Sequence, residues 1–186
     1  MCTDSTGHVH KQKPDIPPGV DVERVRSYLI TQGEKYDFRE LWIKVSKARL
    51  ELIEALNDVD DNKANKKPSP DDWNVKEILA HLLPASRRNL GVIVDLSKTD
   101  PDGLNLIKLP TNEELCSTNI ANLRKMLIDD FVSWGALTCR LDKNVSLDSE
   151  SEHPVFGMLN ARSWFIFQRI HDTDHSKQIL SNFKLD

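Results

Sequence analysis

A chain of 186 residues is the length of one ordinary domain and can bury a sizeable core without covalent staples. Its 39% hydrophobic and 29% charged content describes a soluble globular protein, and a net charge of -4 with no basic stripe argues against a nucleic-acid partner. No apolar run approaches the roughly 20 residues of a membrane span, and the N-terminus lacks the apolar region of a signal peptide, so no membrane partner and a cytoplasmic location are expected.

Residues 1–20 read as a flexible tail with too little apolar content to order itself, ahead of a single domain over residues 21–186. Residues 21–31 fit a short extra helix. Glycines and prolines cluster at residues 14–19, 68–70, 101–110 and 154–157, and helical periodicity fills the intervals between them. Residues 38–59 place Leu41, Val45, Ala48, Leu52, Ala55 and Leu56 on one face, with Lys44, Lys47, Glu51 and Glu54 elsewhere, the pattern of an outer helix of a bundle. Asn74 is an N-cap for the next helix, which carries Val75, Ile78, His81, Leu82 and Ala85 toward Leu96. Pro84 falls inside it, where the ring opposes the carbonyl of Ala80; either a kink beside His81 or a break and restart follows. Thr111 and Glu114 form a capping box for a third long helix through Leu115, Leu123, Leu127, Phe131 and Leu137.

Strand signals are almost absent, and the acidic, serine-rich residues 148–152 read as solvated. Four long helices predict an all-α four-helix bundle, whose core is where facing helices assemble metal sites. Cys2, Cys116 and Cys139 lack paired spacing and read as free thiols, the latter two as small buried hydrophobes. Trp42, Trp73, Trp134 and Trp164 read as core anchors.

The fourth helix, residues 160–183, carries the most informative pattern. Trp164, Phe167, His171, His175 and Ile179 recur on one stripe, so two histidines a turn apart, roughly 6 Å along the axis, face inward. Buried histidines need hydrogen bonds or a shared metal ion. His81, mid-helix among apolar residues, is the candidate third ligand. Three histidines from two helices leave a coordination position for water, substrate or a thiolate. Asp172 stands where some metalloproteases place a general base, but it points about 100° away from His171 around the helix. Asp174 and Glu77 are candidates to orient the imidazoles from behind. Arg87, Arg88 and Arg169 flank these helices and could hold an anionic substrate group, although surface salt bridges are the simpler expectation. His153 reads as a structural loop residue, with Phe156 plugging the bundle end and Gly157 making a turn.

Trp73-Asn-Val-Lys-Glu-Ile-Leu-Ala-His81-Leu, a long third helix, and His153-Pro-Val-Phe-Gly-Met-Leu-Asn-Ala-Arg-Ser-Trp164 leading into His171-Asp-Thr-Asp-His175 together resemble the DinB-like superfamily from about residue 38 onward. The resemblance implies a four-helix bundle, often a homodimer, whose three-histidine site holds zinc, nickel or a similar divalent ion; His81 matches the helix-two ligand, and His171 and His175 the helix-four pair. It also implies a small-molecule substrate. Some members resemble transferases or isomerases that use a low-molecular-weight thiol, while others are described as metal-dependent hydrolases or damage-inducible proteins. Two functions therefore compete: a metal-dependent thiol S-transferase or hydrolase, and a non-catalytic, metal-stabilised, stress-associated binding module.

Overall fold

The computed structural model describes residues 21–102, 104 and 108–182, so the expected tail over residues 1–20 lies outside the described residues. In chain order the elements are α1 (Val22–Lys35), α2 (Phe38–Glu54), α3 (Asp61–Asn65), α4 (Val75–Ser97), α5 (Asn112–Ser117), α6 (Ile120–Arg140), β1 (Glu150–His153), β2 (Gly157–Asn160) and α7 (Ala161–Asn182). The architecture is the expected all-α bundle, built on the long helices α2, α4, α6 and α7. The expected extra N-terminal helix is α1, which runs four residues beyond residue 31.

Capping chemistry sets most boundaries. Capping boxes pair Asp37 with Glu40 and Asn74 with Glu77 at the starts of α2 and α4. Thr111 and Glu114 do form a capping box, but it opens only the six-residue α5. The Ser117 and Thr118 hydroxyls bond back to the Glu114 carbonyl, Thr118 is extended, and Asn119 caps a new helix by accepting from Asn122 N at 2.8 Å. The single third helix expected from periodicity is thus two, because three consecutive cap-forming side chains compete with the helical backbone. Similarly α2 ends at Glu54, and Asp60 then caps the short α3. Helix α4 passes through Pro84 without a break, which excludes the alternative of a break and restart.

Residues 150–153 are a strand, paired antiparallel with β2 from Glu150↔Asn160 to His153↔Gly157. Gly157 turns the hairpin with φ +68°, a value glycine adopts without strain. Asn160 then accepts from Ser163 N at 2.9 Å in the first turn of α7.

Helix α7 is covered by α1, α2 and α4. That explains why Trp164, Phe165, Ile166 and Phe167 are all buried: a helix apolar on most of its circumference must be surrounded. Gly33 lets α1 come close, since a Cβ there would lie 2.8 Å from Ser163 Oγ and 2.9 Å from Ser163 N.

The apolar core falls into two clusters. One contains Val45, Leu90, Trp134 and Phe167, and the other Leu52, Leu83, Leu127 and Ile179. Between them each long helix contributes buried polar residues: Arg49 from α2, Ser86 and Asn89 from α4, Asp130 from α6, and Gln168, His171 and Asp172 from α7. This polar layer holds the candidate site.

Candidate metal centre

Helices α4 and α7 run antiparallel, with Asn89 bonded to Gln168 along the middle of the pair and Asn182 bonded to the Trp73 carbonyl at one end. His81 therefore comes level with the His171–His175 turn. Its Nε2 lies 3.2 Å from His171 Nε2, which lies 3.1 Å from His175 Nε2. Nε2 of His171 thus faces two other ring nitrogens and can share a proton with only one of them.

Tetrahedral coordination with nitrogen ligands about 2.0–2.1 Å from a metal puts the nitrogens roughly 3.3 Å apart, and right-angled coordination about 2.9 Å apart. The observed separations lie within that range, so the three histidines form a group that could hold a metal ion. His171 is buried, while His81 and His175 are half-buried.

The surroundings of His171 favour its neutral form. Burial holds the His171 pKa well below the usual histidine range, and His175, His81, Arg49 and Arg88 add to that in decreasing order. His175 Nδ1 lies 2.9 Å from Gln178 Oε1. An amide oxygen there selects the tautomer with a proton on Nδ1 and a lone pair on Nε2. Phe167 stacks on His171 with centroids 5.6 Å apart and planes 17° from parallel, and Trp73 lies 5.1 Å from the His81 ring. His171 Nδ1 is buried without a hydrogen-bond partner among the described residues.

Other candidates are placed differently from expectation. Asp172 is fully buried, with Oδ2 accepting from Arg49 Nε and Oδ1 from Gln168 Nε2, both at 2.8 Å. Both carboxylate oxygens are committed to Arg49 and Gln168, which leaves neither free to act as a general base. Its pKa is raised by burial, against the lowering effect of Arg49. Glu77 accepts from Asn74 N at 2.9 Å and stands 3.1 Å from Lys67 Nζ. Asp174 is half-buried, and burial raises its pKa.

Among the arginines, Arg87 pairs with Asp130 at 3.2 Å in a mostly buried position, not at the surface. Arg169 donates to Tyr28 Oη at 2.9 Å and lines a pocket of about 430 Å³ with Asp21, Arg24, Val25 and Tyr28, away from the histidines. Arg88 is exposed. His153 is buried, its Nδ1 accepting from Val155 N and Phe156 N, and it packs against Phe167 at 4.5 Å. It supports the ring that supports His171. Cys139 is exposed and free as a thiol, whereas Cys116 is disulfide-bonded, so neither is the buried free thiol expected.

Gln178 and Arg49 are among the residues here that the sequence did not single out. Gln178 lies three positions after His175, a spacing that places it on the neighbouring turn and could have flagged it. Arg49 gives no comparable signal, because its partners lie 81 and 123 residues away.

The model of the DinB superfamily matches residues 44–179, a span that contains all three histidines and the four long helices apart from the first turns of α2 and the end of α7. The uncharacterized protein YuaE of Bacillus subtilis (strain 168) is 25% identical over 148 residues, covering 72% of this chain and 91% of that protein. No solved structure matches the chain.

Proposed function

The chain belongs to the DinB superfamily, and on that premise we propose that it is a divalent-metal-dependent enzyme in which His81, His171 and His175 are the ligands. The observation that carries this reading is the convergence of three Nε2 atoms, with successive separations of 3.2 and 3.1 Å, on one side of a buried imidazole. Zinc and nickel suit such a neutral nitrogen set. A bound divalent ion supplies Lewis acidity that lowers the pKa of a thiol or a water at its remaining position.

The residues of this chain have separable tasks. Gln178 holds the His175 proton on Nδ1, and burial together with Arg49 and Arg88 keeps His171 unprotonated. Phe167 and Trp73 restrict the rings and limit water on two sides. That His81 and His175 are only half-buried supports access of a small-molecule substrate to the cluster. The set supports activation of a low-molecular-weight thiol for S-transfer, or of water for hydrolysis.

A second reading is a non-catalytic module in which metal only ties α4 to α7, adding folding free energy. The absence of a fourth carboxylate, thiol or imidazole from the cluster favours the enzyme among the described residues, since structural sites are usually closed by four protein ligands.

Titrating the cobalt-loaded protein with glutathione, cysteine and other small thiols tests the reading. Thiol activation predicts a thiolate-to-cobalt charge-transfer band in the near ultraviolet and turnover of thiol with an electrophile. Hydrolysis predicts turnover without the band. Metal-dependent stabilisation with neither band nor turnover supports the module.

A further inference from the structure

The geometry points to Arg49 as a positioning residue that sets the mutual register of the two histidine-bearing helices, a role that rests on the metal reading above. Arg49 is 1% exposed, and its guanidinium bonds to three helices at once. Nε donates to Asp172 Oδ2 on α7 at 2.8 Å, Nη1 to Asp130 Oδ2 on α6 at 2.9 Å, and Nη2 to Ser86 Oγ on α4 at 3.1 Å. Ser86 also donates to Asp130 at 2.6 Å and accepts from Trp134 Nε1 at 2.8 Å. On α7, Asp172 accepts from Gln168, whose own oxygen accepts from Asn89 on α4 at 2.9 Å. Both ends of this network therefore return to α4.

Position along the helices gives the network its meaning. Asp172 immediately follows His171, and Ser86 is five residues after His81. A rotation of α7 by one residue, about 100°, would remove Asp172 from Arg49 and turn His171 and His175 away from His81. The apolar packing around α7 does not enforce that orientation alone, because Trp164, Phe165, Ile166 and Phe167 give it buried residues on every side. A planar guanidinium with fixed donor directions distinguishes one orientation from its neighbours.

Stability alone is a weak reason for this arrangement. Asp130 and Asp172 are both 0% exposed, and replacing buried ion networks by apolar residues of similar volume is often neutral or stabilising. Burial opposes the charge on Arg49, but Asp172 and Asp130 outweigh that effect and raise its pKa. What an apolar layer would not supply is the directional fit between α4 and α7.

The test compares wild type, His81→Ala, Arg49→Lys and the triple variant Arg49→Met/Asp130→Leu/Asp172→Leu by circular dichroism, thermal unfolding, cobalt(II) affinity and the visible cobalt spectrum. The expected result is a triple variant that keeps helicity and a cooperative melt but binds cobalt at least about tenfold more weakly, with an altered visible band. Arg49→Lys, which keeps the charge and loses the fork, should fall between the two. A folded triple variant with wild-type affinity and spectrum overturns the role. If the triple variant does not fold, Arg49→Lys decides: intact helicity with weakened, spectrally altered cobalt binding supports it, and unchanged binding overturns it. Wild type that binds no cobalt, or His81→Ala that binds it equally well, instead breaks the metal reading on which the role rests.

Discussion

His175 presents Nε2 to the cluster because Gln178 receives its other ring proton at 2.9 Å. Gln178→Leu removes that acceptor while keeping most of the side-chain volume. The expected consequence is a metal affinity about 10- to 100-fold lower at unchanged helicity, read by competition with a chelating dye; wild-type affinity would show that Gln178 is a bystander. His171 makes a second prediction. Its folded-state pKa is depressed, first by burial, so the metal-free unfolded chain takes up a proton at a higher pH than the folded one. Stability of the metal-free protein should therefore be fully present above about pH 6.5 and fall as pH drops from there toward the lower folded-state pKa. Urea unfolding of metal-free wild type and His171→Phe between neutral and mildly acidic pH measures this. The wild-type slope should be steeper; equal slopes would contradict the buried neutral imidazole.

At the scale of elements, α1 packs tightly on the start of α7, where Gly33 leaves no room for a Cβ beside Ser163. Gly33→Ala should destabilise the fold by about 1–3 kcal/mol through overpacking, despite the better helix propensity of alanine. A higher unfolding midpoint would mean that α1 yields easily. The long helices were legible because Leu41, Val45, Ala48 and Leu52 on α2, and Val75, Ile78 and Leu82 on α4, repeat with the helical period and all prove buried. The hairpin was not: each strand has four residues, and Glu150, Ser151 and Glu152 carry no apolar alternation to read. Nor was the division of the third helix, since the apolar stripe through Leu115, Leu123 and Leu127 continues across the break that Thr118 and Asn119 impose locally.

At the scale of the whole molecule, a buried polar layer separates two apolar clusters, and the three histidines belong to that layer. His171 and His175 were readable from their spacing within one helix, and His81 from its apolar flanks. Their companions were not, because Arg49 on a stripe of Leu and Val looks like a solvated charge until Asp130 and Asp172 arrive at the same level of the bundle. The cluster draws its candidate ligands from two helices joined at that level, so metal binding should depend on both helices. The direct test is metal content, by elemental analysis, of protein purified without a histidine tag or added metal, for wild type, His81→Ala and His171→Ala. About one divalent ion per chain is expected in wild type, with loss of that ion in both variants. A wild type that stays metal-free even after reconstitution, or variants that retain the ion, would contradict metal binding across the two helices.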